Sequence, residues 1–207
     1  MTIALAVQVM DGLVLAADSA ASISMGDGLS PNVYINATKI VNLRKGLPLG
    51  VVFYGTGALG NASMATLAKD LRQRFTGHGG RPEWRLEDDN WTVHGAAERV
   101  RQFFHDEHFA CNGDASQVAG VVGIMVGGQS PDKHLSELYE ITISPDGHCH
   151  GPEPEHDGAA STQWERFNPG APTVGGPIEI AVISRHEGCQ WVRRRDHRAS
   201  DHAAGNG

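Results

Sequence analysis

An α+β fold with largely antiparallel sheets is what this chain of 207 residues predicts, on three observations. Its apolar runs come as a block of strands, then two helical stretches, then further strands, not as strict strand–helix alternation. The chain opens on an apolar hairpin. Neither an internal repeat nor a linker divides it, so residues 1–193 are expected to form a single domain and 194–207 a polar, flexible tail.

The opening hairpin is read from MTIALAVQVMDGLVLAAD, residues 1–18. Two β-rich runs flank a turn containing Asp11-Gly12, and the returning strand ends on Asp18. Ser19 to Ile35, rich in Ser, Gly and Asp, reads as a loop. Thr38–Leu43 and Leu49–Tyr54 read as strands around an Arg44-Lys-Gly46 turn, the second apolar enough to be buried on both faces. Asn61 is expected to cap a helix in which Met64, Leu67, Ala68, Leu71 and Phe75 share one face. A polar connection carrying Trp84 and Trp91 leads to a second amphipathic helix with Ala97, Val100, Phe103 and Phe104 inward. Strands are expected over Val118–Val126 and Glu137–Ile143, then a loop over His148–Gly175. A last hairpin joins Ile178–Ser184 to Cys189–Arg193.

Composition narrows the classes of function. A net charge of −7 disfavours nucleic acid or an anionic membrane as main partner. The three cysteines, Cys111, Cys149 and Cys189, are odd in number and scattered, which suits a reducing compartment better than a disulfide scaffold. The N-terminal apolar run lacks a preceding basic residue and holds Gln8 and Asp11, so it makes a poor signal peptide. No run approaches the roughly 18 apolar residues of a membrane span. A soluble, cytoplasmic protein is expected.

The chemistry centres on Thr2. Initiator Met before a small residue is normally trimmed, and trimming would leave a free α-amine on a hydroxyl-bearing residue, a self-contained nucleophile and base. An α-amine titrates at about 7.7–8.0, near what a general base should offer at neutral pH. A nearby lysine would press the amine toward neutrality by charge repulsion, and a carboxylate would hold that lysine charged and aimed. Thr2, Asp18 and Lys39 supply these three roles on strands able to converge. A glycine turn such as Gly55 could offer a backbone N–H to an oxyanion. Each residue also has a plainer reading: Asp18 a loop cap, Lys39 a surface lysine of an edge strand, Gly55 a strand-to-helix turn glycine. His148-Cys149-His150, with Glu153, Glu155 and His156 nearby, matches no standard zinc spacing and reads as a solvated loop. Arg193-Arg-Arg195 reads as part of a solvated tail, and the tryptophans as packing against the helices.

Thr2-Ile3, Asp11-Gly-Leu-Val-Leu-Ala-Ala-Asp-Ser19, Asn36-Ala-Thr-Lys-Ile40 and Gly55-Thr-Gly-Ala58 together resemble a proteasome β-type N-terminal nucleophile (Ntn) hydrolase. Leu138-Tyr-Glu-Ile141, Pro145-Asp-Gly147 and Val174-Gly-Gly-Pro-Ile178 fit the same pattern, and bacterial homologues such as the ancestral β-subunit group are the nearest in kind. The resemblance implies an Ntn-hydrolase-like αββα sandwich of two antiparallel sheets. It makes Thr2 the nucleophile exposed by Met1 removal, Asp18 the orienting carboxylate, Lys39 the tuning cation and Gly55 the oxyanion donor. Ser22 would lie on the strand that pairs with a peptide. It further implies a homo-oligomeric ring acting on peptide or unfolded protein, an ATP-dependent unfoldase as partner, and neither metal nor cofactor.

The chain departs from the pattern in places. About thirty Gly- and Pro-rich residues separate Gly147 from Ile178, too few and too poor in helix formers for two packed helices, so one helical layer is expected to be reduced or missing. Only Ser161 is available for the serine of the family's Gly-Ser-Gly turn. Ala171 and Val174 stand where the family has Asp and Ser, and Ala20 where Arg is common. The function expected is a threonine peptidase or amidase working through an acyl-enzyme. A catalytically inactive ring-forming scaffold subunit and an amide ligase or transferase are the alternatives.

Overall fold

The computed structural model describes residues 3–23, 32–34, 37–110, 120–154, 160–164 and 175–194. The opening hairpin is β1 (Ile3–Val9) and β2 (Gly12–Asp18). Two short strands, β3 (Ala21–Ile23) and β4 (Asn32–Tyr34), follow and pair with each other. This corrects the loop expected over 19–35 at both ends: a ladder needs only backbone groups, which a Ser/Gly-rich sequence supplies as well as any other. β5 (Ile40–Asn42) and β6 (Leu49–Gly55) come next, then a small hairpin of β7 (Ala58–Leu59) and β8 (Ala62–Ser63).

Helix α1 spans Met64–Phe75 and buries Met64, Leu67, Ala68, Leu71 and Phe75. Its N-cap is Ser63, whose Oγ accepts the Thr66 N–H at 3.2 Å. The expected cap, Asn61, sits instead in the turn between β7 and β8. Helix α2 spans Val93–Arg101, and Thr92 Oγ1 accepts the Gly95 N–H at 3.0 Å at its start. It continues as a π-helical stretch over Gln102–Phe109 that buries Phe103 and Phe104. β9 (Val122–Gly128) and β10 (Glu137–Ile143) follow.

Two further strands, β11 (Cys149–Pro154) and β12 (Ala160–Trp164), occupy part of the stretch expected to be a loop. Both are edge strands, where one side of the ladder stays open and Gly, Pro and polar residues are tolerated, so alternation gave no signal. The last hairpin is β13 (Ile178–Ser184) and β14 (Gly188–Arg193).

The strands build two five-stranded antiparallel sheets, β12-β1-β2-β13-β14 and β11-β10-β9-β6-β5. Their inner faces pack together through Ala4, Ala6, Leu13, Leu15, Ala181 and Ile183 on one side and Ile40, Val52, Met125 and Leu138 on the other. The outer face of the second sheet carries Val51, Phe53, Ile124 and Val126 under α1 and α2, with Leu67, Leu71, Phe75, Phe103 and Phe104 fully enclosed. Each such side chain contributes roughly 1.5–3 kcal/mol through burial. Phe104 packs on Phe53 at 5.5 Å and Phe103 on Trp84 at 6.4 Å between ring centroids. Trp84 and Trp91 are both buried, as expected. Among the described residues the helices lie on this sheet alone. No helix there is long and apolar enough to cross a membrane.

Candidate active site

The chain reverses at Asp11-Gly12, and β1 and β2 run in register from Ala4 opposite Ala17 to Val9 opposite Gly12. The end of β2 therefore returns beside the start of β1. Asp18 sits at that end, 6 % exposed, and Lys39, 7 % exposed, immediately precedes β5. Lys39 Nζ donates to Asp18 Oδ1 at 2.6 Å. The same oxygen accepts the Ile3 backbone N–H at 3.0 Å. Asp18 Oδ2 accepts the N–H groups of Ala20 at 3.3 Å and Gly175 at 3.2 Å. One carboxylate thus joins the starts of β1 and β5, the end of β2 and the approach to β13.

Burying two charges is offset only where geometry and additional hydrogen bonds are good, and four donors on two oxygens meet that condition. Burial pushes the Lys39 ammonium below the ordinary lysine value of 10.5, while the hydrogen bond and charge of Asp18 oppose that shift. Lys39 is therefore not the exposed edge-strand lysine of its plainer reading.

Thr2, the expected nucleophile, lies outside the described residues, as does Met1. What is described is the residue bonded to it: the Ile3 nitrogen that forms the Thr2–Ile3 peptide is the one bound to Asp18. Gly55 ends β6, where the Phe53 N–H donates to the Lys39 carbonyl at 2.9 Å. Two strand residues further along, roughly 7 Å of chain, comes Gly55. Its φ is +79°, and a Cβ there would lie 2.0 Å from the Val121 carbonyl oxygen. Both facts demand glycine whatever else that residue does. Ser22 is central in β3, opposite Val33; its side chain is outside the described set. Ser161 lies in β12 opposite Ala6, while Ala171 and Val174 fall outside the described residues.

Three residues at this end of the sandwich escaped the sequence reading as site members. Ser19 is fully buried, and its Oγ donates to the Pro177 carbonyl at 2.9 Å. Gly175 supplies the N–H to Asp18 noted above. Glu179, 4 % exposed, stands opposite Ala17 in the β2–β13 ladder. Its signal was available: alternation puts 179 on the inward parity of 181 and 183, where a carboxylate is unusual. Elsewhere, no group of three or more potential metal ligands gathers among the described residues. Cys149 packs against the helix-side core, and Glu155 and His156 are outside the described set. The Arg194 guanidinium stacks on Trp191 at 4.9 Å.

The class these features define is an α+β sandwich of two antiparallel five-stranded sheets, with a buried carboxylate–lysine pair at the chain's beginning. The chain is similar in fold to a solved mutant of Anbu from Hyphomicrobium sp. strain MC1, at a TM-score of 0.54 and 15 % identity over 95 % of this chain and 89 % of that one. No protein-family model and no curated protein matches it. These findings correct the recognition drawn from the motifs. Membership of the proteasome β-type family, its ancestral β-subunit group included, does not stand, because at this identity the likeness is one of fold alone. The motif pieces that suggested it are short, and Asp-Gly turns, Gly-Gly pairs and alternating Val/Leu/Ala recur wherever antiparallel strands are built.

Proposed function

We propose that this chain is an N-terminal threonine amidase of the peptidase kind, with Thr2 as nucleophile and its own free α-amine as base. One observation carries the reading: Lys39 Nζ and the Ile3 N–H converge on a single Asp18 oxygen, one peptide bond from Thr2. A buried cation held there disfavours a second positive charge and so keeps the α-amine neutral. Thr2 Oγ attacks the substrate carbonyl carbon while its proton passes to the amine. The tetrahedral oxyanion takes the Gly55 N–H. Collapse breaks the C–N bond, the leaving amine takes the proton, and an ester remains on Thr2. Water, deprotonated by the same amine, then releases the acid and restores the hydroxyl. Ser22, just beyond Asp18, lies on the strand that would pair with an extended peptide. A peptide or unfolded-protein substrate, a ring of identical subunits and an ATP-dependent unfoldase belong to the same reading.

The test is intact mass before and after a β-lactone acylating agent, with the adduct mapped. Processing that frees the Thr2 amine, followed by a single adduct on Thr2 that Lys39→Ala abolishes, is the expected result. A freed Thr2 that takes no adduct would leave a catalytically silent scaffold, a reading favoured by the fully buried Ala20, which brings no polar group to the site. A blocked Thr2 amine in protein from its own host would sink the mechanism. On the same assay the rate should rise with pH through a value at or below the ordinary amine range of about 7.7–8.0, because the base must be neutral. It should fall again on the alkaline side. Lys39 must stay charged and is held below 10.5 by burial, so that fall comes earlier than an exposed lysine would give.

A further inference from the structure

A cavity of about 400 Å³ opens at the start of α2. The turn after β9 closes one side of it, and β9 runs from Val122, beside Gly55, to Gly128. Six strand steps of about 3.3 Å therefore set it roughly 20 Å from the Lys39 end of that sheet. Its walls are pinned by hydrogen bonds. Ser130 Oγ accepts the Val93 N–H at 2.9 Å and donates to Glu137, which ties the first turn of α2 to the residues after β9. Gln129 Nε2 donates to the Lys133 and His134 carbonyls at 3.3 and 2.8 Å, fixing the turn that carries Pro131 and Asp132. The cavity is built into the fold.

Leu86 and Ala96, both enclosed, and Pro131 give the cavity an apolar side. Trp91 lines it too, 7 % exposed, and its buried indole N–H meets no acceptor among the described residues. Buried donors are nearly always paired, and an exception asks for a physical reason. Arg99 lines the same space from further along α2. Of its several donors one is used, Nη1 on the Trp84 carbonyl at 3.2 Å. Burial pushes the pKa of this guanidinium down, with the charge of Glu83 opposing, so the cation is short of counter-charge. Asp89 and Asp132 line the cavity from exposed positions. Among the described residues neither forms an ion pair, with Arg99 or with any other cation.

We infer that this cavity binds a small zwitterion with an apolar side chain, a free amino acid or a short peptide. Its carboxylate lies on Arg99 and its ammonium towards Asp89 and Asp132. Opposite charges that line one cavity without pairing with each other suit a ligand carrying both signs. A guanidinium takes a carboxylate through two parallel hydrogen bonds. The two aspartates attract the ammonium and repel a plain anion such as phosphate, while Arg99 repels a plain cation. Leu86, Trp91, Ala96 and Pro131 receive the side chain. The volume lies within the range of about 300–1,000 Å³ typical of small-ligand pockets. Nothing here uses Thr2, Asp18 or Lys39, so the site stands or falls separately from the amidase reading.

Indole N–H resonances of the isotope-labelled full chain test this, with Trp91→Phe identifying the Trp91 signal among those of the four tryptophans. L-Leucine and L-leucyl-L-leucine are the probes. At least one should shift that signal, with half-saturation near about 1 mM for so small a ligand. Which of the two binds more tightly distinguishes a free amino acid from a peptide. L-Leucinamide, which lacks the carboxylate, and N-acetyl-L-leucine, which lacks the ammonium, should each bind at least about tenfold more weakly than leucine. Arg99→Met should weaken binding about tenfold, and Asp132→Asn, at an exposed position, about threefold. A Trp91 signal that neither probe moves up to about 20 mM overturns the proposal. So does equal binding of the amide or the acetyl derivative, or an Arg99→Met chain that folds and binds as before. If Arg99→Met does not fold, the two derivatives and Asp132→Asn decide.

Discussion

On the sheet β11-β10-β9-β6-β5, the outer side chains Val51, Phe53, Ile124 and Val126 meet Leu67, Leu71, Phe75, Phe103 and Phe104 from two capped helices, and none touches water appreciably. On β12-β1-β2-β13-β14, side chains of the same chemistry, Leu5, Val7, Val14, Ile180 and Val182, are left partly exposed. Both sheets bury their inner faces in one shared seam. The contrast separates two tasks of an apolar residue. Under the helices it supplies stability within one chain, since the covering layer comes from neighbouring sequence. On the other sheet, where it stays partly exposed, it contributes correspondingly less. The candidate site lies where the sheet β12-β1-β2-β13-β14 begins, and Asp18 ties that sheet to β5 of the other through Lys39.

The comparison can be broken at its strongest point first. Phe103→Ala, in the covered layer, should cost about 3–5 kcal/mol in urea unfolding. Asp18→Ala at the joint between the sheets should cost a similar 3–5 kcal/mol or so, because it strands a buried Lys39 and three backbone donors. Their sizes distinguish packing from pairing only if the second loss shrinks when Lys39→Met is added, a coupling to be read from the double-mutant cycle. Ser63→Ala, which removes the α1 cap, should cost about 1 kcal/mol. Smallest of all, Ile180→Ala on the open face should cost under about 1 kcal/mol in a chain dilute enough to be monomeric. A loss there as large as that of Phe103→Ala would mean the face is covered within one chain, and the contrast between the sheets would vanish.

Much of the fold was legible in the sequence because it rests on local periodicity. The opening hairpin, the inward faces of both helices and the last hairpin all follow from alternation or a 3.6-residue repeat. The edge strands β11 and β12 did not show, since open edges tolerate Gly, Pro and polar residues. Asn61 was preferred over Ser63 as cap because the β7–β8 turn that claims Asn61 leaves no periodic trace in two-residue strands.

Asp18 and Lys39 could be singled out because a free Thr2 amine calls for a lysine to keep it neutral and a carboxylate to hold that lysine, and both residues stand in the motifs that carried the resemblance. Their distance, and the donors Ile3, Ala20 and Gly175 that complete the shell, needed the tertiary structure. Gly175 is 157 residues from Asp18 along the chain, and no periodicity spans such a separation. Glu179, by contrast, shares the inward parity of 181 and 183 and was readable from alternation.

By itself the sequence determined the α+β class, the two helices and the chemical identity of the Asp18–Lys39 pair, since each is written in nearest-neighbour patterning and side-chain type. Only the tertiary structure decided which sheet the helices cover, that Lys39 is buried and not at a surface, and that the outer rows Leu5-Ala16-Ile180 and Val7-Val14-Val182 come into line. Those facts depend on register between strands distant in the chain, and register is a property of the assembled sheet, not of any one strand.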